Sequence, residues 1–383
     1  MSEGRFPVTE WDAKDLRLRL LRDSDVDDVV EACGDAQTLR FLWPYLPSPF
    51  TRDQAGDFVS RQAPQAWKDG RAQWAVADLA DDRLLGVIGV PRISGEGSVA
   101  ELGYWTAPWA RGKGVAAAAI AAAADFLIAH GVERVELMIA TPNIASQRAA
   151  LRAGFSRDGV LRGRSDIRDP AASDLERAPR CDMVVYSRMP GDPPGPTPRD
   201  LPDLPGGELS DGVAVLRPFG PEHVDACLTI GSLPEVWQDS VPAQPPTRES
   251  LARLCGYASA DQWLAGHTAH MVIVDAVSGD VAGQVGVHNR MGPPGQVMLS
   301  YALNREFRGR GMASRAVRLA ARWAFESVGA ARVTAGTNPD NVASQAVLER
   351  IGFKREGYER SLRPGMDGKR VDNVAFCLLP EEL

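Results

Sequence analysis

Two stretches of this chain, Arg111-Gly-Lys-Gly-Val-Ala116 and Arg308-Gly-Arg-Gly-Met-Ala313, carry one pattern, Arg-x-x-Gly-x-Ala, and each opens a helix-forming run rich in alanine. Glycine lets a backbone approach a ligand where a Cβ would obstruct it. A helix start adds N–H groups without intrahelical partners and the positive end of the helix dipole. Together these suit an anion, and a diphosphate fits best. Arg111, Lys113, Arg308 and Arg310 add positive charge. The dipole alone supplies only about 0.3–1 kcal/mol, so residues 111–116 (Gly112, Gly114, Val115 and Ala116 included) and 308–313 (Gly309, Gly311, Met312 and Ala313 included) must converge several donors. Neither copy fits a Walker loop or a dinucleotide Gly-x-Gly-x-x-Gly fingerprint, so nucleotide hydrolysis and hydride transfer lose their main support.

The copies lie 197 positions apart (308 − 111), and the surrounding text corresponds as well. Leu102-Gly-Tyr104 answers Leu299-Ser-Tyr301, Asn143-Ile-Ala-Ser-Gln147 answers Asn341-Val-Ala-Ser-Gln345, and Gly154-Phe155 answers Gly352-Phe353. A repeat this long means duplicated domains, not a solenoid. Pro190-Gly-Asp-Pro-Pro-Gly-Pro-Thr-Pro198, continuing to Gly207, reads as a semi-extended linker.

Each half must supply the elements that hold its loop. In the first, Leu16–Leu21 alternates apolar residues with arginine like a half-buried strand, and Ser24 or Asp25 can cap the following helix. Thr51 opens a second helix to about Lys68. Three strands follow, at 73–79, 84–91 and 99–106. A helix from the glycine loop to His130, a strand at 134–140, a helix from Asn143 to Ala153 and two closing strands complete the half. The second half repeats the order, a mixed α/β unit β-α-α-β-β-β-α-β-α-β-β.

On these residues both halves resemble the GNAT superfamily of acyl-CoA-dependent N-acyltransferases, in particular its RimJ/RimL-like branch. The motifs that carry the resemblance are Arg-x-x-Gly-x-Ala, Asn143-x-x-Ser146 with Asn341-x-x-Ser344, and the Gly-Phe pairs. It covers nearly the whole chain apart from the linker. The fold it implies is α/β (α+β): two domains, residues 1–190 and 211–383 about a linker at 191–210, each with a mixed, mostly antiparallel twisted sheet flanked by helices. It also implies acetyl-CoA in a V-shaped gap between the strands at 99–106 and 134–140 and their counterparts. The diphosphate would lie on the glycine loops, with backbone around Trp105 and Thr106, or Leu303 and Asn304, along the pantetheine arm. Asn143 and Asn341 join the expected cofactor-binding set. The acceptor amine attacks the thioester directly, so holding both reactants in line is the largest expected contribution.

In several superfamily members a Tyr four residues before Gly-Phe protonates the departing thiolate. Here Ala150 and Leu348 stand at those positions, which leaves Ser146 and Ser344 as the hydroxyls the RimL-like pattern implies. The competing reading for such a serine is a bond to local backbone. Glu101, on the strand leading to the first loop, is the candidate general base; its alternative is a solvated strand carboxylate. Met298 stands at the matching position, so a base in the second half must come from elsewhere or act through water. Neutralising a lysine-type amine costs roughly 4–5 kcal/mol at pH 7, an α-amine about 1. His288 lies on an expected strand, where it is either a packed histidine or a base reaching the second cleft. His267-Thr-Ala-His270 lacks a third metal ligand in sequence, and no metal site is expected. Phe41, Trp43, Tyr45 and Phe50 read either as core or as acceptor-pocket lining.

A net charge of −7 argues against a general nucleic-acid or anionic-membrane surface. The start of the chain lacks the apolar core of a secretory signal. The alanine-rich helix contains Asp125, against a membrane span. The five cysteines show no metal-ligand or Cys-x-x-Cys spacing, which reads as buried thiols in a reducing cytoplasm. The partner that the resemblance implies is an amine acceptor, on a peptide or a small molecule, and the chain is expected to be a monomer or homodimer. Three functions fit: an acetyltransferase, a transferase of another acyl group or for an antibiotic or metabolite amine, and a non-catalytic acyl-CoA-binding module.

Overall fold

The computed structural model describes residues 5–42, 46, 49–168, 177, 179–289 and 293–383. The chain divides into two compact units, the first reaching residue 198 and the second beginning at 199. The proline-rich segment is engaged at both of its ends. Thr197 N donates to Leu151 O and its Oγ1 to Phe155 O within the first unit, while Leu201 and Leu204 belong to the core of the second.

The first unit carries strands β1 (Trp11–Ala13), β2 (Leu16–Arg19), β3 (Gln73–Asp78), β4 (Leu84–Ser94), β5 (Val99–Thr106), β6 (Arg134–Ala140), β7 (Ser156–Leu161) and β8 (Met183–Arg188). Its helices are α1 (Val26–Gly34), α2 (Ala36–Leu42), α3 (Arg52–Asp57), α4 (Ala63–Lys68), α5 (Val115–Ala129) and α6 (Ile144–Arg152). The sheet order is β1-β2-β3-β4-β5-β6-β8-β7, antiparallel throughout except for the β5–β6 pair.

The second unit repeats the plan with β9 (Leu209–Ser210), β10 (Ala214–Pro218), β11 (Thr268–Asp275), β12 (Val281–His288), β13 (Gln296–Leu303), β14 (Arg332–Thr337), β15 (Lys354–Pro364) and β16 (Arg370–Leu378). With it run α7 (Val224–Gly231), α8 (Pro234–Trp237), α9 (Arg248–Arg253), α10 (Ser259–Leu264), α11 (Met312–Glu326) and α12 (Val342–Ile351). Here β13–β14 is the parallel pair.

The expected element order holds in both units, with additions. Each sheet gains a short edge strand, β1 or β9, too brief to show a period. The helix expected from Thr51 to Lys68 contains a π-turn at Phe58–Gln62, and Leu254–Ala258 repeats it in the second unit. Each helix start at Thr51 and Thr247 is fixed by the threonine side chain accepting from the third helical N–H, as its residue type demands.

Arg19 departs from the expected alternation. It points inward, 1% exposed, and all five of its N–H bonds are taken. Nη1 and Nη2 donate to the Asp25 carboxylate at 2.8 Å each, Nε to Asp82 Oδ1 at 2.9 Å, and the remaining two to Leu20 O and Asp82 O. Asp25 is therefore the counter-ion of Arg19, and no side-chain capping bond from it to α1 forms. Removing one partner of a buried pair strands the other charge. Asp25→Ala is expected to lower the unfolding free energy by about 3–5 kcal/mol, read as a fall in the urea midpoint.

Candidate functional site

In each unit a strand, a turn and a helix start build the cradle. After β5 the chain makes a turn at Pro108–Ala110, anchored by Trp109 Nε1 donating to Leu84 O at 2.9 Å. Gly112 and Gly114 then take left-handed φ values of +75° and +82°; Gly309 and Gly311 do the same at +75° and +77°. An L-residue is strained there. A Cβ built on any of the four meets nothing within 4 Å, so they face open space. Gly114 and Gly311 are the N-caps of α5 and α11, and no side chain caps either helix. Val115, Ala116, Met312 and Ala313 supply the first-turn N–H groups. Open space over an uncapped, glycine-lined helix start fits a diphosphate.

The leading arginine of each loop has protein partners that the sequence does not show. Arg111 Nη2 is bonded to Asp35 Oδ2 at 2.6 Å and Thr38 Oγ1 at 2.7 Å, and Nη1 to Gln37. Arg308 and Arg305 both hold Glu235, at 2.8 Å. Both guanidinium groups thus clasp the loop to the second helix of their unit, by contacts between residues more than 70 positions apart. That places Lys113 and Arg310 as the loop cations facing outward. Lys113 makes no ion pair among the described residues, and Arg310 lies over the Phe307 ring at 5.4 Å.

Hydrogen bonds from Arg111 hold the Asp35 carboxyl below its ordinary value, and those from Arg305 and Arg308 do so for Glu235. A depressed folded-state pKa means stability that is present above the unfolded value and lost as pH falls through the folded one. The double variant Asp35→Asn, Glu235→Gln is expected to melt below wild type at pH 7, with the gap narrowing as pH drops through the carboxylate range.

Below each cradle the parallel strands part. β5 pairs with β6 only over Val99–Glu101, and β13 with β14 only over Gln296–Leu299. From Leu102 to Thr106, and from Ser300 to Leu303, the strand edge lacks a partner in β6 or β14. Trp105, Thr106, Leu303 and Asn304 lie at the far ends of these open edges, where unpaired backbone groups can bond an amide-bearing chain; of them, Asn304 N already donates to Ala282 O at 2.9 Å and Leu303 O accepts from Arg308 Nη2 at 3.1 Å.

Across the gap stand the helices of the Asn-x-x-Ser motif. Asn143 and Asn341 prove to be helix caps: their Oδ1 atoms accept from Ser146 N at 3.2 Å and Ser344 N at 3.1 Å. The caps fix each serine in the first turn, facing the gap. Ser146 Oγ then lies 2.5 Å from Tyr104 Oη, and Ser344 Oγ 2.7 Å from Tyr301 Oη. The local-backbone reading of these serines is thereby set aside. Sequence reasoning saw the two tyrosines as corresponding letters of the repeat and gave them no role. Burial pushes the Tyr104 hydroxyl up to about 12, and Tyr301 upward too, so both phenols stay protonated and can donate to the serine. A serine oxygen that receives a proton from tyrosine can pass its own to a departing thiolate.

Glu101 sits where the strands begin to part, but its carboxylate is engaged: Oε2 is 2.6 Å from Arg92 Nη2. A shift in register between Gly89 and Arg92, at the bulge containing Pro91, aims Arg92 there. The expected unencumbered base is therefore half of an ion pair. His270 is half-buried on β11 with its ring 6.0 Å from His288, and among the described residues no group of three or more His, Cys, Asp or Glu can hold a metal. All five cysteines are buried. Of the aromatic cluster, Phe50 packs against the core between the sheet and α1 and α3; Phe41 lies under Arg40, while Trp43 and Tyr45 fall outside the described residues. Among the described residues no helix is long and apolar enough to cross a membrane.

A cradle, a parted parallel pair and a helix-borne hydroxyl, built twice, define a class of acyl-CoA enzyme. The acetyltransferase (GNAT) domain model matches residues 15–156 and 214–354, more than half of the chain, and the chain belongs to this family of acyl-CoA-dependent acetyltransferases. Its relatives include the uncharacterized N-acetyltransferase YoaA of Bacillus subtilis, 27% identical over 158 residues, 41% of this chain and 87% of that protein. The uncharacterized N-acetyltransferase p20 of Bacillus licheniformis is 29% identical over 167 residues, 44% of this chain and 93% of that one. Among solved structures, Mycobacterium smegmatis RimJ in complex with CoA-disulfide aligns at TM-score 0.40 and 24% identity, over 46% of this chain and 88% of that one.

Proposed function

We propose that both units bind acetyl-CoA in the parted-strand gap and that the chain transfers the acetyl group directly to a primary amine, on a peptide N-terminus or a small molecule. The observation that carries this reading is the Tyr–Ser pair at each gap, Tyr104 with Ser146 and Tyr301 with Ser344. It lies beside the open strand edge where a thioester on a cradle-held diphosphate would end. Lys113 and Arg310, with the N–H groups of 112–116 and 309–313, hold the diphosphate; the edges at Trp105–Thr106 and Leu303–Asn304 hold the arm. The serine protonates the leaving sulfur while the amine forms the new C–N bond. An α-amine acceptor is favoured by the RimJ/RimL-like pattern and by its small deprotonation cost. The enzyme works in the cytoplasm, as monomer or homodimer.

CoA release from acetyl-CoA over a panel of unblocked peptides and small amines tests this reading. Release that requires an acceptor supports it; tight CoA binding without turnover on any acceptor would instead favour a binding module.

A further inference from the structure

The second unit lacks a carboxylate at the position of Glu101. Met298 stands there, opposite His288 in β12, just as Glu101 stands opposite Arg92. Two hydroxyls hold His288 in place of an ion pair. Its Nδ1 lies 3.2 Å from Thr268 Oγ1 of β11 and its Nε2 2.8 Å from Ser300 Oγ of β13. A Cβ on Gly286 would stand 2.9 Å from both His288 Nε2 and Ser300 Oγ, so β12 omits a side chain where this pair sits. The matching position of Ser300 in the first unit is Gly103, so the hydroxyl belongs to the second unit alone.

Placement ties the pair to the gap. The last β13–β14 pair is Leu299 with Ala335, and Ser300 is the next residue, exposed. Side chains alternate along a strand. Val285, Val287 and Tyr301 face the core built with α11 and α12. Gly286, His288 and Ser300 therefore face the other side, where Val272 and Val274 pack with α7 and α9. Tyr301–Ser344 flanks the gap from one face and Ser300–His288 from the opposite one, which is where an amine approaching a thioester would stand relative to its leaving group.

We infer that His288, acting through Ser300, is the general base of the second cleft and takes the proton of the primary-amine acceptor. The inference rests on the reading of this cleft as an acetyltransferase site. The acceptor ammonium gives a proton to Ser300 Oγ as the Ser300 proton passes to His288 Nε2, while Nδ1–H stays donated to Thr268 Oγ1. The freed lone pair forms the C–N bond, the C–S bond breaks, and the sulfur takes a proton from Ser344. Of the two protons the nitrogen loses, the first leaves through His288 to solvent and the second replaces the one Ser344 gave up.

Burial holds the His288 imidazole below its ordinary value, so the ring is neutral and able to accept near pH 7. Its titratable neighbour, His270, is pushed down to about 4 by burial and by His288 itself. The acidic residue of α7, Asp225, is paired with Arg248 of α9. A base of this strength is matched to an α-amine near 7.8 better than to a lysine near 10.4.

The test uses full-length protein with the first cradle disabled by Gly114→Glu, acetyl-CoA, and unblocked peptides beginning with Ala, Ser or Met. Adding His288→Gln keeps a hydrogen-bonding group beside Ser300 that cannot take up a proton. CoA affinity should stay unchanged while kcat falls about 100-fold at pH 7, and the deficit should shrink below about tenfold near pH 9, where an α-amine is already neutral. Gly286→Ala, which crowds the pair apart, should reproduce that profile with His288 present. Equal kcat at pH 7, or a deficit that is the same at both pH values, would overturn the assignment, as would CoA binding by the Gly114→Glu protein without turnover. Failure of that protein to bind CoA at all would instead remove the underlying reading of the second cleft.

Discussion

Titrated with CoA, the wild-type chain is expected to bind two equivalents, Gly114→Glu and Gly311→Glu one each, and the double variant none within a range at least about 100-fold weaker. Two effects add. A residue with a Cβ at φ near +80° carries about 1–3 kcal/mol of backbone strain, and the new carboxylate faces the diphosphate where the loop offers N–H groups. Gly114→Ala separates them, because its Cβ enters open space and it bears only the strain; it should weaken the first site without removing it. Calorimetry gives affinity and stoichiometry in one experiment. Loss of both sites from a single substitution would mean that the units do not bind independently.

The second large effect falls on turnover and spares binding. Ser146→Ala with Ser344→Ala is expected to lower kcat by about 10²–10⁴, with CoA affinity held within about twofold. The serine side chains make no contribution to the cradle, and Asn143 and Asn341 still cap the backbone N–H. Tyr104→Phe with Tyr301→Phe should act in the same direction and more weakly, since a serine without its phenol donor can still draw a proton from solvent. Single variants divide the labour: the pair whose serine change removes more of the activity belongs to the more active unit. A double serine variant with undiminished kcat would remove these hydroxyls from the mechanism.

Much of this was legible because the duplication supplied its own control. A glycine loop occurring once is a turn; two copies, each preceded by three strands and followed by Asn-x-x-Ser, constrain one another, and both proved to be uncapped helix starts with left-handed glycines. Legibility failed where a side chain's partner is set by the fold and not by the local sequence. The pairing of Arg111 was hidden because nothing in its neighbourhood shows Asp35, 76 positions away. Glu101 looked unengaged because its partnership with Arg92 depends on the bulge near Pro91. Tyr104 meets Ser146 only because the parallel strands part and let α6 approach. The capping role of the asparagines was within reach: Asn with a serine three residues on is a helix-start signature. Arg19 shows the converse, a charge in an alternating strand drawn inward by two aspartates that the period cannot reveal.

The central claim is that two glycine-lined helix starts each hold the diphosphate of an acyl-CoA whose sulfur ends beside Ser146 or Ser344. A crystal structure of the full-length chain with CoA measures it directly. The account predicts density for diphosphate against residues 111–116 and 308–313, with each sulfur within hydrogen-bonding reach of its serine Oγ. Diphosphate lodged away from both loops, or a sulfur remote from both Tyr–Ser pairs, would contradict it.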